Sequence, residues 1–357
     1  MFKPFVLVAG TSLILGGCAS HSHFLVQGAA PELLKGEFVH EQPSRLILES
    51  SERKYVAEGF EVRRHQNLAE LHKRYRMSEP KHRMIGLPDG EVHILDWGGG
   101  GPAVHFAHAN GFNGATYANI LAPLANEARL LASDLRGHGF TTLPAQPDAH
   151  PGWPVFAADL AAMLDALDAG PYVLAGHSMG ATSSLLVAAL RPELVRALVL
   201  FDPVASDFPP AIDRDAIPLV VGARKRRAVF PDAETALTAY IGRGAFKTWP
   251  DETIAAYLKG GLKPDPEGVR LACDPMWEAA NFRMGPAGVQ EAIDAVRCPI
   301  AVFTAAEGST TGAPALARLR DRRPDARIER VPGTTHFLPM ERPDLVRAAI
   351  REALSLR

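Results

Sequence analysis

The chain has 357 residues, with 38 lysines and arginines against 40 aspartates and glutamates, which gives a formal net charge of -2. This balance gives no support to a nucleic-acid partner, because proteins that bind nucleic acids concentrate positive charge. A composition of 47% hydrophobic and 22% charged residues is typical of a globular protein long enough to bury a large core.

The N-terminus has the pattern of an export signal. Lys3 is followed by an apolar stretch over residues 5–15 and then by two glycines and Cys18. One positive charge, a short apolar core and small residues predict a signal peptide over residues 1–17. The stretch is too short to span a bilayer as a helix.

The Leu-Gly-Gly-Cys ending of this segment resembles the lipobox of bacterial lipoproteins. The resemblance implies cleavage before Cys18, acylation of that residue, and a lipid anchor in the membrane on the periplasmic face of the bacterial cell envelope. The alternative is a plain cleaved signal and a secreted or soluble periplasmic protein.

Residues 18–82 are interpreted as a lipid-anchored spacer followed by a small accessory region. Charges of both signs are dense over residues 41–82. A helix is predicted over residues 67–77, with short strands over residues 45–48 and 55–57. No motif in this region indicates a chemistry.

A strand is predicted over residues 103–107, followed by a glycine-rich loop over residues 108–114. Such a loop can offer backbone N–H groups to a developing oxyanion, and the amide of Phe112 or of Asn110 is the expected donor. A helix is predicted to follow over residues 116–125.

A competing interpretation of the same region is a metal site built from His105, His108 and Asp134. It is rejected because His105 and His108 lie in and at the end of a strand without a matching ligand cluster. No metal site is therefore expected.

The pentapeptide Gly-His-Ser-Met-Gly occupies residues 176–180, between an apolar run at 172–175 and a small-residue stretch at 181–190. Strand, G-x-S-x-G and helix in this order predict a nucleophile elbow. The glycines are needed because the turn is too tight for a Cβ on either side. Ser178 is then the nucleophile, and the Met179 amide is a second oxyanion donor.

A serine nucleophile needs a base that is oriented by an acid, and in this arrangement the chain order is serine, acid, histidine. Asp202 ends a predicted strand over residues 197–202. Glu307 is the only carboxylate of loop 305–310, which follows a strand predicted over residues 299–304. Asp202 is preferred because a strand end fixes its position, and Glu307 stays open as the alternative acid.

The segment over about residues 205–295 interrupts the alternation of strands and helices and predicts a helical cap over the site. Helices are expected over residues 233–241 and 251–258, and the basic run 224–227 is expected to be a solvated face. Six large apolar residues either line a cap pocket or pack the cap on the body: Phe208, Phe230, Trp249, Met276, Trp277 and Phe282.

His336 is the only histidine after Ser178. It lies between a strand predicted over residues 326–331 and a closing helix predicted over residues 343–354. This is where the base of such a site belongs, so His336 is predicted to activate Ser178.

Four motifs, at residues 108–112, 134–139, 176–180 and 336–337, together resemble the α/β-hydrolase superfamily. The resemblance implies an α/β domain over residues 83–357, with a mostly parallel sheet of about eight strands, flanking helices and a helical cap insertion. It also implies hydrolysis through an acyl-enzyme without a cofactor.

The expected function is a serine hydrolase that cleaves an ester or related acyl compound, with a small-molecule acyl substrate as its partner. One alternative is a C–C bond hydrolase or cofactor-free perhydrolase on the same fold. Another is a non-enzymatic envelope lipoprotein with a degenerate site, suggested by the missing aspartate in loop 305–310.

Cys273 and Cys298 would be able to form a disulfide after export to an oxidising compartment.

Overall fold

A computed structural model describes residues 79–205 and 212–356 of the protein, together with four short strands nearer the N-terminus. The chain divides into two compact units, Met1–Met77 and Ser78–Arg357. Several predicted features lie outside the described residues: Cys18, the elements at 45–48, 55–57 and 67–77, and Phe208.

The first unit contains β1 (Phe5–Ala9), β2 (Ser12–Gly16), β3 (Phe24–Gln27) and β4 (Glu61–Arg64). Successive strands pair antiparallel in one sheet. The signal, spacer and lipid-anchor interpretations of this unit stay predictions.

The strands of the second unit, in chain order, are β5 (Lys81–Leu87), β6 (Gly90–Gly98), β7 (Ala103–Ala107), β8 (Arg129–Ser133), β9 (Tyr172–His177), β10 (Val195–Phe201), β11 (Val229–Phe230), β12 (Leu262–Asp265), β13 (Gly268–Leu271), β14 (Ile300–Ala305) and β15 (Arg327–Val331). Its helices are α1 (Ala118–Leu121), α2 (Pro154–Leu167), α3 (Met179–Leu190), α4 (Pro218–Arg224), α5 (Ala233–Tyr240), α6 (Asp251–Gly261), α7 (Pro275–Met284), α8 (Val289–Ala295), α9 (Ala313–Arg322), α10 (Leu338–Glu341) and α11 (Pro343–Ser355).

Eight of these strands form one sheet in the order β15-β14-β10-β9-β7-β8-β6-β5. The strands from β15 to β8 run parallel, and β6 and β5 run antiparallel at one edge. Every residue of β7 and β9 is buried, because helices cover both faces of a parallel sheet. The prediction of a mostly parallel sheet of about eight strands is confirmed.

The closing helix α11 shows why the flanking layer forms. Its buried residues Val346, Ala349, Ile350 and Ala353 fall on one face at spacings of three and four. Pro343 starts the helix, where a missing N–H costs nothing, and Asp344 lies in the first turn. The helix packs against α1, β9 and β10.

The helix predicted over residues 116–125 is instead divided into three short turns. The central α1 lies between 3₁₀ turns at Gly114–Tyr117 and Ala122–Leu124. Pro123 lies in the second turn and lacks the N–H that a continuous α-helix would use.

The segment between β10 and β14 contains helices α4 to α8, in agreement with the predicted helical insertion. It also holds a small sheet in the order β11-β13-β12, which the sequence did not predict. Helices α4 and α7 pack together through Val220, Ala223 and Ala279. Among the described residues, no helix is long and apolar enough to cross a bilayer.

Candidate active site

The candidate site lies at the edge of the sheet where the parallel strands end. Ser178 follows β9, Asp202 follows β10, and His336 follows β15. Neighbouring parallel strands bring their carboxyl ends together, so residues far apart in sequence meet at one edge.

Ser178 occupies a tight strand-to-helix turn. Its backbone has φ 53° and ψ -120°, a strained conformation for a residue with a side chain. A Cβ on Gly176 would lie 2.7 Å from the Ala181 nitrogen, and one on Gly180 would lie 2.2 Å from the Ala107 oxygen. The turn therefore requires both glycines, and α3 begins directly after Ser178.

Ser178, His336 and Asp202 form one hydrogen-bonded line. Ser178 Oγ is 3.0 Å from His336 Nε2, and His336 Nδ1 is 2.6 Å from Asp202 Oδ2. A carboxylate accepts only, so the imidazole proton lies on Nδ1 and Nε2 is left to accept from the serine hydroxyl. This is the geometry of a serine activated by a histidine.

Asp202 is fully buried and held from several directions. Its Oδ1 accepts from the Ala305 amide at 3.0 Å and from Ser309 Oγ at 2.5 Å, and its Oδ2 accepts from the Thr310 amide at 3.0 Å. Burial alone would raise the pKa of this carboxyl, but His336 and these donors hold the pKa below its usual value. Its backbone φ of 45° is a second strained position.

Glu307, the alternative acid, is exposed to solvent. Its amide donates to the Thr334 carbonyl at 3.0 Å, whereas the carboxylate hydrogen-bonded to His336 Nδ1, at 2.6 Å, belongs to Asp202. The structure thus places Asp202 rather than Glu307 against His336.

Hydrogen bonds within the loop after β7 distinguish the two candidate oxyanion donors, the amides of Asn110 and Phe112. The Phe112 amide already donates to the Ala109 carbonyl at 3.1 Å. The amides of Asn110 and Met179 have no acceptor within the described part of the chain. Asn110 and Met179 are therefore the pair that a substrate oxygen can use.

Side chains from elsewhere fix this loop. Asn110 Nδ2 donates to the Glu278 carbonyl at 3.0 Å, and Asn110 Oδ1 accepts from Asn281 at 2.8 Å. His138 Nδ1 donates to the Arg136 carbonyl at 2.9 Å, so its Nε2 accepts from the Gly111 amide at 3.0 Å. Burial lowers the pKa of His138 to about 3, which keeps it neutral as this role requires.

A buried network behind the site was not predicted. Tyr117 Oη donates to His177 Nδ1 at 2.8 Å and accepts from the Ala109 amide at 3.3 Å. His177 Nε2 donates to the His336 carbonyl at 2.7 Å. Burial lowers the pKa of His177 to about 3, so it stays neutral. The network joins the loop after β7 to the backbone of His336, and its only sequence signal is the histidine before Ser178.

A cavity of about 770 Å³ opens beside Ser178 and His336. Of the six cap residues expected either to line this cavity or to pack the cap, Phe282 lines it, while Met276 is exposed and Phe208 lies outside the described residues. Phe230, Trp249 and Trp277 are buried in packing. The aromatic residues of the wall are Phe112, Trp153, Tyr240, Phe246, Phe282 and Phe337.

The basic run 224–227 is not entirely a solvated face. Arg226 faces the cavity with only 18% of its side chain exposed, and its Nη1 donates to Glu278 Oε2. Its Nη2 donates to the hydroxyls of Tyr240 at 3.1 Å and Tyr257 at 2.7 Å. Burial raises the pKa of Glu278, with the Arg226 charge opposing that rise. The prediction was wrong here because a fixed carboxylate partner makes burial of the guanidinium tolerable.

The rejected metal ligands have other partners. His105 bonds Ser133, His108 bonds the Ala109 carbonyl and the Leu135 amide, and Asp134 bonds His93. Over residues 79–205 and 212–356 the structure contains no group of three or more potential metal ligands. Cys273 and Cys298 are both free thiols.

Comparison with known proteins places this geometry in a family. The model of the "Alpha/beta hydrolase family" matches residues 106–349. A 2-(acetamidomethylene)succinate hydrolase of Mesorhizobium japonicum is 29% identical over 255 residues, which cover 71% of this chain and 87% of the relative. Lipase LipV of Mycobacterium tuberculosis is 30% identical, covering 75% of this chain and 99% of the lipase.

Solved structures agree with this assignment. The crystal structure of E-2-(acetamidomethylene)succinate hydrolase matches with a TM-score of 0.65 and 26% identity, covering 78% of this chain and all of that one. The chain therefore belongs to the alpha/beta hydrolase family and is a hydrolase.

Proposed function

We propose that the protein is a serine hydrolase that cleaves an ester or related acyl compound through an acyl-enzyme intermediate. The observation that carries this proposal is the continuous line from Ser178 Oγ to His336 at 3.0 Å and from His336 to Asp202 at 2.6 Å. The cavity beside Ser178 gives a small-molecule substrate direct access to this line.

In the proposed reaction, Ser178 Oγ attacks the substrate carbonyl as His336 Nε2 takes its proton. The amides of Asn110 and Met179 donate to the oxyanion, and Asp202 stabilises the imidazolium that forms. His336 then passes the proton to the leaving group, and the carbonyl–leaving-group bond breaks. Water, deprotonated by His336, attacks the acyl-enzyme to release the carboxylic acid and restore Ser178.

The test is covalent labelling of Ser178 with a neutral fluorophosphonate, read by intact mass and by peptide mapping. The wild-type protein should gain one adduct on Ser178, while Ser178→Ala should gain none and lose hydrolysis of p-nitrophenyl esters. Absence of labelling in folded wild-type protein contradicts the proposal.

Assays on the same purified protein distinguish the alternative functions. C–C bond hydrolysis predicts turnover of a vinylogous diketone in preference to esters, and perhydrolysis predicts peracid formation from acetate and peroxide. The non-enzymatic alternative is set aside, because the chain is a member of a hydrolase family and Asp202 supplies the carboxylate that loop 305–310 lacks.

We further propose that the protein is tethered to the bacterial cell envelope through a lipid on Cys18. The sequence of the first 18 residues supports this proposal. Labelling of growing cells with an alkyne fatty acid should mark the wild-type protein and not Cys18→Ser. Equal labelling of both proteins, or of neither, contradicts it.

A further inference from the structure

The cavity beside Ser178 is largely apolar. Its volume of about 770 Å³ suits a small organic molecule, since such sites span roughly 300–1,000 Å³. Aromatic side chains from the body and the cap make up much of its wall. The exceptions to this apolar character decide which substrates fit.

Two charged side chains of the wall are mostly buried, and they neutralise each other. The side chains of Arg226 and Glu278 are 18% and 9% exposed and form an ion pair. Tyr240 and Tyr257 take two further N–H groups of the guanidinium. Arg226 thus has a fixed carboxylate partner and three occupied donors out of five.

The pair lies against the oxyanion loop. A Cβ built on Gly111 would be 2.6 Å from Glu278 Oε1 and 3.4 Å from Arg226 Nη1. The Asn110 side chain also donates to the Glu278 carbonyl at 3.0 Å. The acyl group of a substrate bound at Ser178 therefore lies close to this pair.

A carboxylate on that acyl group would meet an unfavourable site. It would lose its hydration in an apolar cavity, and Glu278 already occupies the guanidinium of Arg226. Arg243, another cation of the wall, is exposed, so water and salt screen its charge. An uncharged acyl group leaves the pair intact and has no such cost.

We propose that the cavity selects uncharged acyl groups, and that Glu278 excludes acyl groups bearing a carboxylate by neutralising Arg226. This specificity rests on the serine hydrolase function proposed above. The preferred substrate is an ester or amide with an apolar acyl chain. A neutral hydroxyl or amide on that chain is compatible, because it carries no charge that would need a partner in the cavity.

The test uses two substrates that differ by one charge, p-nitrophenyl hexanoate and mono-p-nitrophenyl adipate. They share the leaving group and acyl length, but adipate ends in a carboxylate. For the wild-type full chain, kcat/KM for hexanoate should exceed that for the adipate monoester by roughly thirtyfold or more, because the carboxylate loses its hydration in an apolar cavity and finds Arg226 already paired.

Glu278→Gln should lower this preference by roughly tenfold, because it leaves the Arg226 cation open to the substrate carboxylate. The double variant Arg226→Met with Glu278→Leu removes both charges at similar volume and should keep the preference for hexanoate. Asp215→Asn is the matched control. It removes a carboxylate from an exposed cap ion pair with Arg224 and should change the ratio less than about twofold.

Fluorophosphonate labelling of Ser178 counts the active sites of each variant and separates the two proposals. Loss of labelling in the wild type overturns the serine mechanism. Normal labelling with a wild-type preference for the adipate monoester overturns the substrate specificity alone. An unchanged ratio of kcat/KM for hexanoate to that for the adipate monoester in labelled Glu278→Gln also overturns the specificity. If that variant does not fold, the ratios of the wild type and of the double variant decide whether the specificity proposal stands.

Discussion

The two sides of the candidate site are built by different means. On the sheet side, Asp202 and the oxyanion loop are held by dense hydrogen bonds, and Ser178 and Asp202 have strained backbones. On the cap side, aromatic packing and the Arg226–Glu278 ion pair shape the cavity. The difference suggests that bond cleavage and substrate choice depend mainly on different side chains. Helix α7 joins the two sides, because the Glu278 carbonyl and Asn281 both hydrogen bond the Asn110 side chain.

The largest effect should come from Asp202→Asn. Without the carboxylate, His336 loses the group that fixes its proton on Nδ1, so kcat should fall by roughly a thousandfold or more. Glu307→Gln is the control and should stay within about twofold of wild type, as expected for an exposed side chain away from the histidine. A strong loss in Glu307→Gln with a weak one in Asp202→Asn would reverse the assignment of the acid.

A smaller effect is expected from His177→Phe on the sheet side. The substitution leaves the Tyr117 hydroxyl and the His336 carbonyl without their present partners. We expect kcat to fall roughly tenfold with KM nearly unchanged, because the base and the oxyanion loop lose their shared support. Steady-state kinetics at saturating substrate measure this, and a change confined to KM would contradict a positioning role.

Acidic pH should destabilise the second unit, Ser78–Arg357, through its buried histidines. Burial lowers the pKa of His105 from 6.5 to about 3, so the unfolded chain takes up a proton that the folded chain does not. Its contribution to stability is complete above pH 6.5 and is lost as pH falls towards the folded pKa. Between these values, His105→Gln should reduce the slope of unfolding free energy against pH by about 1 kcal/mol per pH unit. Urea unfolding at several pH values measures the slope, and Phe282→Ala should leave it unchanged.

The smallest effect should come from Phe282→Ala on the cap side. Removing an aromatic ring from the cavity wall weakens binding of the ground state and the transition state alike. KM for p-nitrophenyl hexanoate should rise about three- to fivefold with kcat nearly unchanged. If kcat falls as much as in His177→Phe, the two sides of the site are not separable.

The sheet side could largely be anticipated from the sequence because its signals are local. The glycines around Ser178 encode the turn, His336 has no competitor after the serine, and a strand end fixes Asp202. The fold could also be predicted from local signals, because consecutive strand–helix units along the chain give a parallel sheet. The choice between Asn110 and Phe112 required the turn that occupies the Phe112 amide.

The cap side could not be anticipated, because its contacts join distant residues. Arg226 and Glu278 are 52 positions apart, and nothing in the basic run distinguishes the buried arginine from its exposed neighbours. The cap sheet was missed because β11 has two residues and β12 contains a proline, so neither shows a strand pattern. The network through His177 was missed because its link from Tyr117 spans 60 positions.

The loop after β14 has a practical consequence for protein engineering. Ser309 and Thr310 both hold the Asp202 carboxylate and line the cavity. A library that varies this loop to change substrate range would disturb the acid at the same time and yield many inactive clones. Libraries at Leu219 and Phe246, which line the cavity on the cap, should change substrate range while leaving the support of Asp202 untouched.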